Sequence, residues 1–210
     1  QALSEGAFFM KLLIKSAAFG LVLTILLSGL YFHAECKVIS NSVLRLHILA
    51  NSDSEEDQAL KLRVRDAVLE EAGSLFSSAH SKEEATKLTK ATLSEIEEIA
   101  QACITEQGYD YTVKAELTSM FFQTRIYDHI AMPAGVYDAL RITIGSGQGQ
   151  NWWCVMYPPI CLPAAEKKDE LEDVLEEEQV DILENQPKYE IKFKVVEIFE
   201  SIANFFTNGT

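Results

Sequence analysis

The sequence predicts an α+β fold: two helices packed on a largely antiparallel sheet, preceded by an N-terminal transmembrane or signal helix and followed by C-terminal helical segments. Three observations predict it. An uncharged apolar run, Ser16 to Phe32, stands near the N-terminus. One strand-like alternation and two helix-period segments come after it. Beyond Gly108 the apolar positions recur with period two as far as Tyr157. A strand, then helices, then a series of strands is the order expected of helices layered on one face of a sheet.

The first element decides the compartment. Lys11 and Lys15 precede Ser16–Phe32, and as a helix that run reaches roughly 25 Å, near the lower limit for crossing a hydrocarbon core. Positive charge followed by an apolar stretch is the pattern of a secretory signal or an uncleaved signal anchor. Export follows in either case. Cleavage after Ala34 would put Phe32 where small residues are preferred, and His33, Ala34 and Glu35 before Cys36 make no lipoprotein box, so the pattern favours an anchor. Met10 reads as the natural start, which makes residues 1–9 a non-native extension. The remaining division is 10–35 as signal peptide or anchor, 36–165 as the exported α+β domain, 166–187 as an acidic helical segment and 188–210 as a C-terminal amphipathic segment.

Within the domain, Leu44, Leu46, Ile48 and Ala50 alternate with Val43, Arg45, His47 and Leu49, a strand with one apolar and one mixed face. Ser52 and Glu55 have capping-box spacing, predicting a helix from about Asp53 to Ala72 that stops at Gly73. Ser81 with Glu84 opens a second helix to about Glu106. Tyr109, Tyr111, Val113, Ala115 and Leu117 share a strand face. Met120 to Ile126 follows as another strand after a turn at Thr118 and Ser119, then Val136–Ile144 and Trp152–Tyr157. Glu166–Leu183 and Tyr189–Phe206 have helix-compatible spacing on either side of Pro187. The apolar face of the last segment can close the core, lie on a membrane or dock on a partner, and closing the core is the plain expectation.

The net charge of -14 argues against a nucleic-acid partner, which needs clustered Lys and Arg. Gly145, Gly147 and Gly149 lead into a strand with no following Lys-Ser or Lys-Thr, so they form no phosphate loop. The four histidines (33, 47, 80, 129) are scattered, and neither a metal nor a cofactor is expected. In an oxidising space the four cysteines are disulfide candidates first. Cys154 and Cys161, separated by Pro158 and Pro159, are the pair a turn would bring together. Around the end of the first strand, Arg45, His47, Asn51, Asp53 and Asp57 place an imidazole near carboxylates, the ground for an alternative reading as an exported hydrolase acting on cell-wall or peptide substrate. No serine lies in a nucleophile elbow. Asp53 and Asp57 also suit the first turn of a helix on dipole grounds alone. Adjacent Trp152 and Trp153 send one indole to each sheet face, and an exposed indole suits a protein-binding surface.

Two long segments carry a family resemblance. RLHILANSDSEEDQALKLRVRDAVLEE (Arg45 to Glu71) and PAGVYDALRITIGSGQGQNWWCVMYPPIC (Pro133 to Cys161), with YEIKFKVVEIF (Tyr189 to Phe199) near the end, resemble the stage II sporulation protein R family. The resemblance implies a sporulation signal and not an enzyme. It implies a protein made in the forespore, inserted at least transiently in its membrane through Ser16–Phe32 and acting in the intermembrane space. Its implied partner is a membrane-embedded aspartic protease, stage II sporulation protein GA, which removes the pro-sequence of pro-sigma-E in the mother cell. No small-molecule substrate is implied. Chemistry nominates the receptor-interaction candidates: Arg45, His47, Asn51 and Asp53 in one motif, and Arg141, Asn151, Trp152 and Trp153 in the other.

Overall fold

The computed structural model describes residues 2–76, 79–127, 130–158, 171 and 174–208. Its strands are β1 (Leu44–Leu49), β2 (Val113–Phe122), β3 (Arg125–Tyr127), β4 (Ile130–Met132), β5 (Gly135–Ile144) and β6 (Asn151–Tyr157). Four of them make a sheet in the order β2-β5-β1-β6, while β3 and β4 pair as a separate hairpin. Both outer pairings, β2 with β5 and β6 with β1, are antiparallel, so the sheet is largely antiparallel as expected. The central pair, β1 with β5, is parallel. Parallel neighbours need a long crossover, and the intervening helices and β2 provide it.

The helices are α1 (Ala2–Ser42), α2 (Glu55–Phe76), α3 (Lys82–Ala91), α4 (Leu93–Glu106), α5 (Glu177–Glu184) and α6 (Gln186–Asn208). One sheet face meets α2, α3 and α4. Leu44, Leu46, Ile48, Leu140 and Ile142 pack there against Leu60, Val64, Ala85, Ile96, Ala100 and Ile104, all buried. Burying such a side chain contributes roughly 1.5–3 kcal/mol. Helices on one face alone do not complete the molecule. The opposite face, through Val43, Tyr137, Ala139 and Val155, packs against Phe32, Cys36 and Ile39 of α1, the β4 segment, α5 and α6. All six residues of β1 are therefore buried, the mixed-face ones included.

Several local expectations shift for physical reasons. α2 is capped by Ser54, whose hydroxyl accepts from Asp57 N at 3.2 Å, because Ser52 is drawn to the Asp57 carboxylate instead. That helix runs through Gly73 to Phe76. Ser81 caps as expected, accepting from Glu84 N at 3.2 Å, but the helix it opens breaks at Thr92 into α3 and α4. No turn forms at Thr118 and Ser119. β5 offers an unbroken row of partners from Ile144 to Gly135, so β2 continues to Phe122. In the β1–β6 pairing the register shifts between Leu44 and Arg45, which sends Met156 and Tyr157 both into the first core. The last segment is helical, as its spacing predicts. Of the acidic segment, α5 is helical and Leu171 and Leu175 are buried; 166–170 lie outside the described residues.

α1 joins two environments without a break. Leu12 to Leu30 expose their apolar side chains, and α1 is long and apolar enough from Met10 to Ser42 to cross a membrane. Phe32, Cys36 and Ile39, spaced i, i+4, i+7, are then buried in the second core. Cys154 is disulfide-bonded, Cys36 and Cys103 are free thiols, and Cys161 lies outside the described residues.

Candidate functional site

The two signature segments meet at the end of β1. Asn51 Oδ1 accepts from Ser146 N at 3.0 Å and Asn51 O accepts from Ser146 Oγ at 2.7 Å, while Asp53 Oδ1 accepts from Gln150 N at 2.7 Å. Asn51 Nδ2 and Ser52 Oγ both donate to Asp57 Oδ2, at 2.9 and 2.5 Å. Burial pushes the Asp57 carboxyl up, but the hydrogen bonds from Ser52, Asn51 and Tyr111 outweigh it and hold the group below its ordinary value. Lys61 Nζ closes the knot by donating to Gln150 O at 2.8 Å. The glycines are required by this close approach. A Cβ on Gly149 would stand 2.2 Å from Ser52 O, and Gly145, at φ +55, would press one to 2.4 Å from Asn51 Oδ1. Asn51 and Asp53 are thereby committed to backbone groups of the glycine loop.

On the second sheet face, Arg45 is fully buried. Its Nη2 donates to Tyr127 Oη, and its guanidinium lies 4.2 Å from the Phe122 ring centroid, 4.9 Å from Tyr137 and 5.7 Å from Tyr127. Nε and Nη1 have no hydrogen-bond partner. The cation is held by aromatic faces instead of a carboxylate, an arrangement worth about 2 kcal/mol or more when desolvated. His47, 3% exposed, comes next along the same face. Phe122 and Trp153 meet its ring edge-on, at 6.1 and 5.4 Å between centroids. Burial lowers its pKa to about 4, and the nearby Arg141 and Arg45 charges push the same way. Asn151 works in the opposite direction, more strongly than the Arg45 charge, at a geometry that leaves both ring nitrogens without a hydrogen bond. His47 is thus neutral near pH 7, and the charges acting on it are cations. Asp53 is turned to the glycine loop, so the imidazole–carboxylate arrangement of the hydrolase reading is not assembled.

Around this sealed interior the face opens. Register places Arg141 and Trp153 on either side of His47, and Asn151 opposite Leu49. Arg125, exposed at the start of β3, lies 4.7 Å over the Trp153 ring. Arg141 is partly exposed, with Glu116 Oε1 at 3.9 Å. Trp152 points to the other sheet face, where Arg65 of α2 lies 5.0 Å over its ring. The prediction of one indole per face therefore holds, and an arginine covers each. Arg45 and His47 are interior, Asn51 and Asp53 are tied into the loop, and Arg141, Asn151 and Trp153 share one rim.

Sequence reasoning missed Arg125, Phe122 and Tyr127. Their positions follow from the β2–β3 connection and the hairpin, which carry no periodic signal strong enough to assign a face. Among the described residues no group of three or more His, Cys, Asp or Glu gathers to hold a metal.

The family described as stage II sporulation protein R matches residues 40–167, more than half of the chain and all of this site. The stage II sporulation protein R of Bacillus subtilis (strain 168) is 41% identical over 124 residues, which is 59% of this chain and 55% of the relative. The chain thus spans about half the length of the curated relative it matches. No solved structure matches it. The family match over more than half of the chain carries the conclusion: this chain belongs to the stage II sporulation protein R family, a family of sporulation proteins.

Proposed function

We propose that this chain is an exported, membrane-anchored signalling ligand that triggers a membrane-embedded aspartic protease, stage II sporulation protein GA, to process pro-sigma-E in the mother cell. Family membership supports the sporulation role. The observation that carries the ligand reading over a hydrolase is the setting of His47: packed shut by aromatic rings and flanked by arginines, with both ring nitrogens lacking the carboxylate or nucleophile that a catalytic base would engage. What remains available to a partner is the rim of Arg125, Arg141, Asn151 and Trp153. Arginine and tryptophan at the edge of a rigid sheet are the residue types that dominate protein-binding hot spots. Arg45, His47, Asn51 and Asp53 serve this surface from beneath by fixing the strand ends that present it.

The anchor reading has its own support. Removing α1 through Ala34 would take Phe32 out of the second core, where it stacks on Tyr189 at 5.5 Å and meets Phe193 edge-on at 5.4 Å. This packing supports a protein retained at the membrane, on the far side from the cytoplasm in which it is made. Co-expression of the full chain with the protease and pro-sigma-E tests the proposal. Cleavage of the pro-sequence that depends on this chain is expected, and unchanged cleavage in its presence overturns the ligand role.

A further inference from the structure

α6 has two apolar faces, and the fold covers one. Phe193 and Val196 enter the second core. On the other side, Ile191, Val195, Ile198, Ile202, Phe205 and Phe206 are between 53% and 80% exposed. Their spacing from Ile191 (i+4, i+7, i+11, i+14, i+15) keeps them on about a third of the helix circumference. Scattered exposed apolar residues are ordinary, but a stripe running four turns along one helix marks an interaction surface.

Its position identifies the occupant. α6 passes α1 where the apolar run of α1 ends: the Phe199 ring meets His33 at 5.2 Å, and Glu200 Oε1 lies 3.6 Å from His33 Nε2. Phe199 is itself 58% exposed and belongs to the stripe. The exposed face of α6 is therefore continuous with the exposed apolar surface of α1, which ends at Leu30 and Tyr31. Lys192 and Lys194 fall on opposite sides of the stripe. A bilayer that receives α1 reaches this face, whereas a second copy or a partner helix would have to displace lipid from it. We propose that α6 is an interfacial helix, lying in the membrane surface beside the anchor with its Ile/Val/Phe stripe among the acyl chains and its lysines at the headgroups. This fixes the domain against the membrane at two points and sets the direction in which its remaining surface faces. The inference rests on α1 entering a bilayer and is independent of the protease reading.

The test reconstitutes the full chain into vesicles of phosphatidylethanolamine and phosphatidylglycerol that include a phospholipid with a photoactivatable acyl chain. Labelled residues are then mapped by mass spectrometry. Labelling along Ile198 to Phe206 as well as within α1, with α3 unlabelled, is expected. The double substitution Ile198→Glu and Ile202→Glu should abolish labelling on α6 and leave that on α1 intact. Should the double variant fail to fold, the map of the unsubstituted chain still decides. Labels confined to α1, labels on neither helix, or crosslinks from α6 to a second copy of the chain in place of lipid would each overturn the proposal.

Discussion

The two faces of the central sheet are built by different physics. Toward α2, α3 and α4 the face is hydrocarbon: leucines, isoleucines and valines interdigitate with helix stripes, and the stabilisation scales with apolar area removed from water. Toward α1, the hairpin and the C-terminal helices, the face encloses a buried arginine and a buried histidine in a shell of aromatic rings. Polar groups in that shell lack hydrogen-bond partners, including Arg45 Nε and Nη1, both His47 nitrogens and Trp153 Nε1. The first face supplies stability. The second trades some of it for a fixed set of ring planes under the exposed rim, and it joins the domain to the membrane helix.

Substitutions can break this contrast. Leu46→Ala, on the hydrocarbon face, should have the largest effect, a loss of about 3 kcal/mol in urea unfolding of the full chain in detergent micelles. A loss below about 1 kcal/mol would show that this face is loosely packed. The second effect is a pH dependence from the aromatic face. The folded His47 takes up its proton at about 4 against an ordinary 6.5, so between those values the unfolded chain binds the extra proton. Stability should fall progressively as pH drops through that window. His47→Gln should flatten the fall, and an unchanged pH profile in that variant would place its origin elsewhere. The smallest effect should come from Arg45→Met. The substitution removes a buried cation that has no carboxylate partner and fills the box with an apolar side chain, so stability should change by no more than about 1 kcal/mol. A loss comparable to that of Leu46→Ala would mean the cation–aromatic contacts hold the second core together.

The contrast also explains what was legible in the sequence. The first face could be read because Leu44, Leu46 and Ile48 alternate cleanly and α4 keeps helical spacing. The same alternation marked Arg45 and His47 as a mixed face, and mixed faces normally look outward. They point inward here because Phe122, Tyr127, Tyr137 and Trp153, remote in sequence, close over them. No local pattern reports that closure. Asn51 and Asp53 were identifiable as special residues, yet their partners Ser146 and Gln150 lie almost a hundred positions away. Only the close approach of the two loops explains why the glycines stand where they do.

The rim of Arg125, Arg141, Asn151 and Trp153 is the claim on which the functional account turns. It is tested most directly by pro-sigma-E processing with the Arg125→Glu, Arg141→Glu double variant, alongside its urea unfolding curve. Both side chains lie at the surface, so stability should stay close to that of the unsubstituted chain while pro-sequence cleavage is lost. Full processing by a folded double variant would contradict the account.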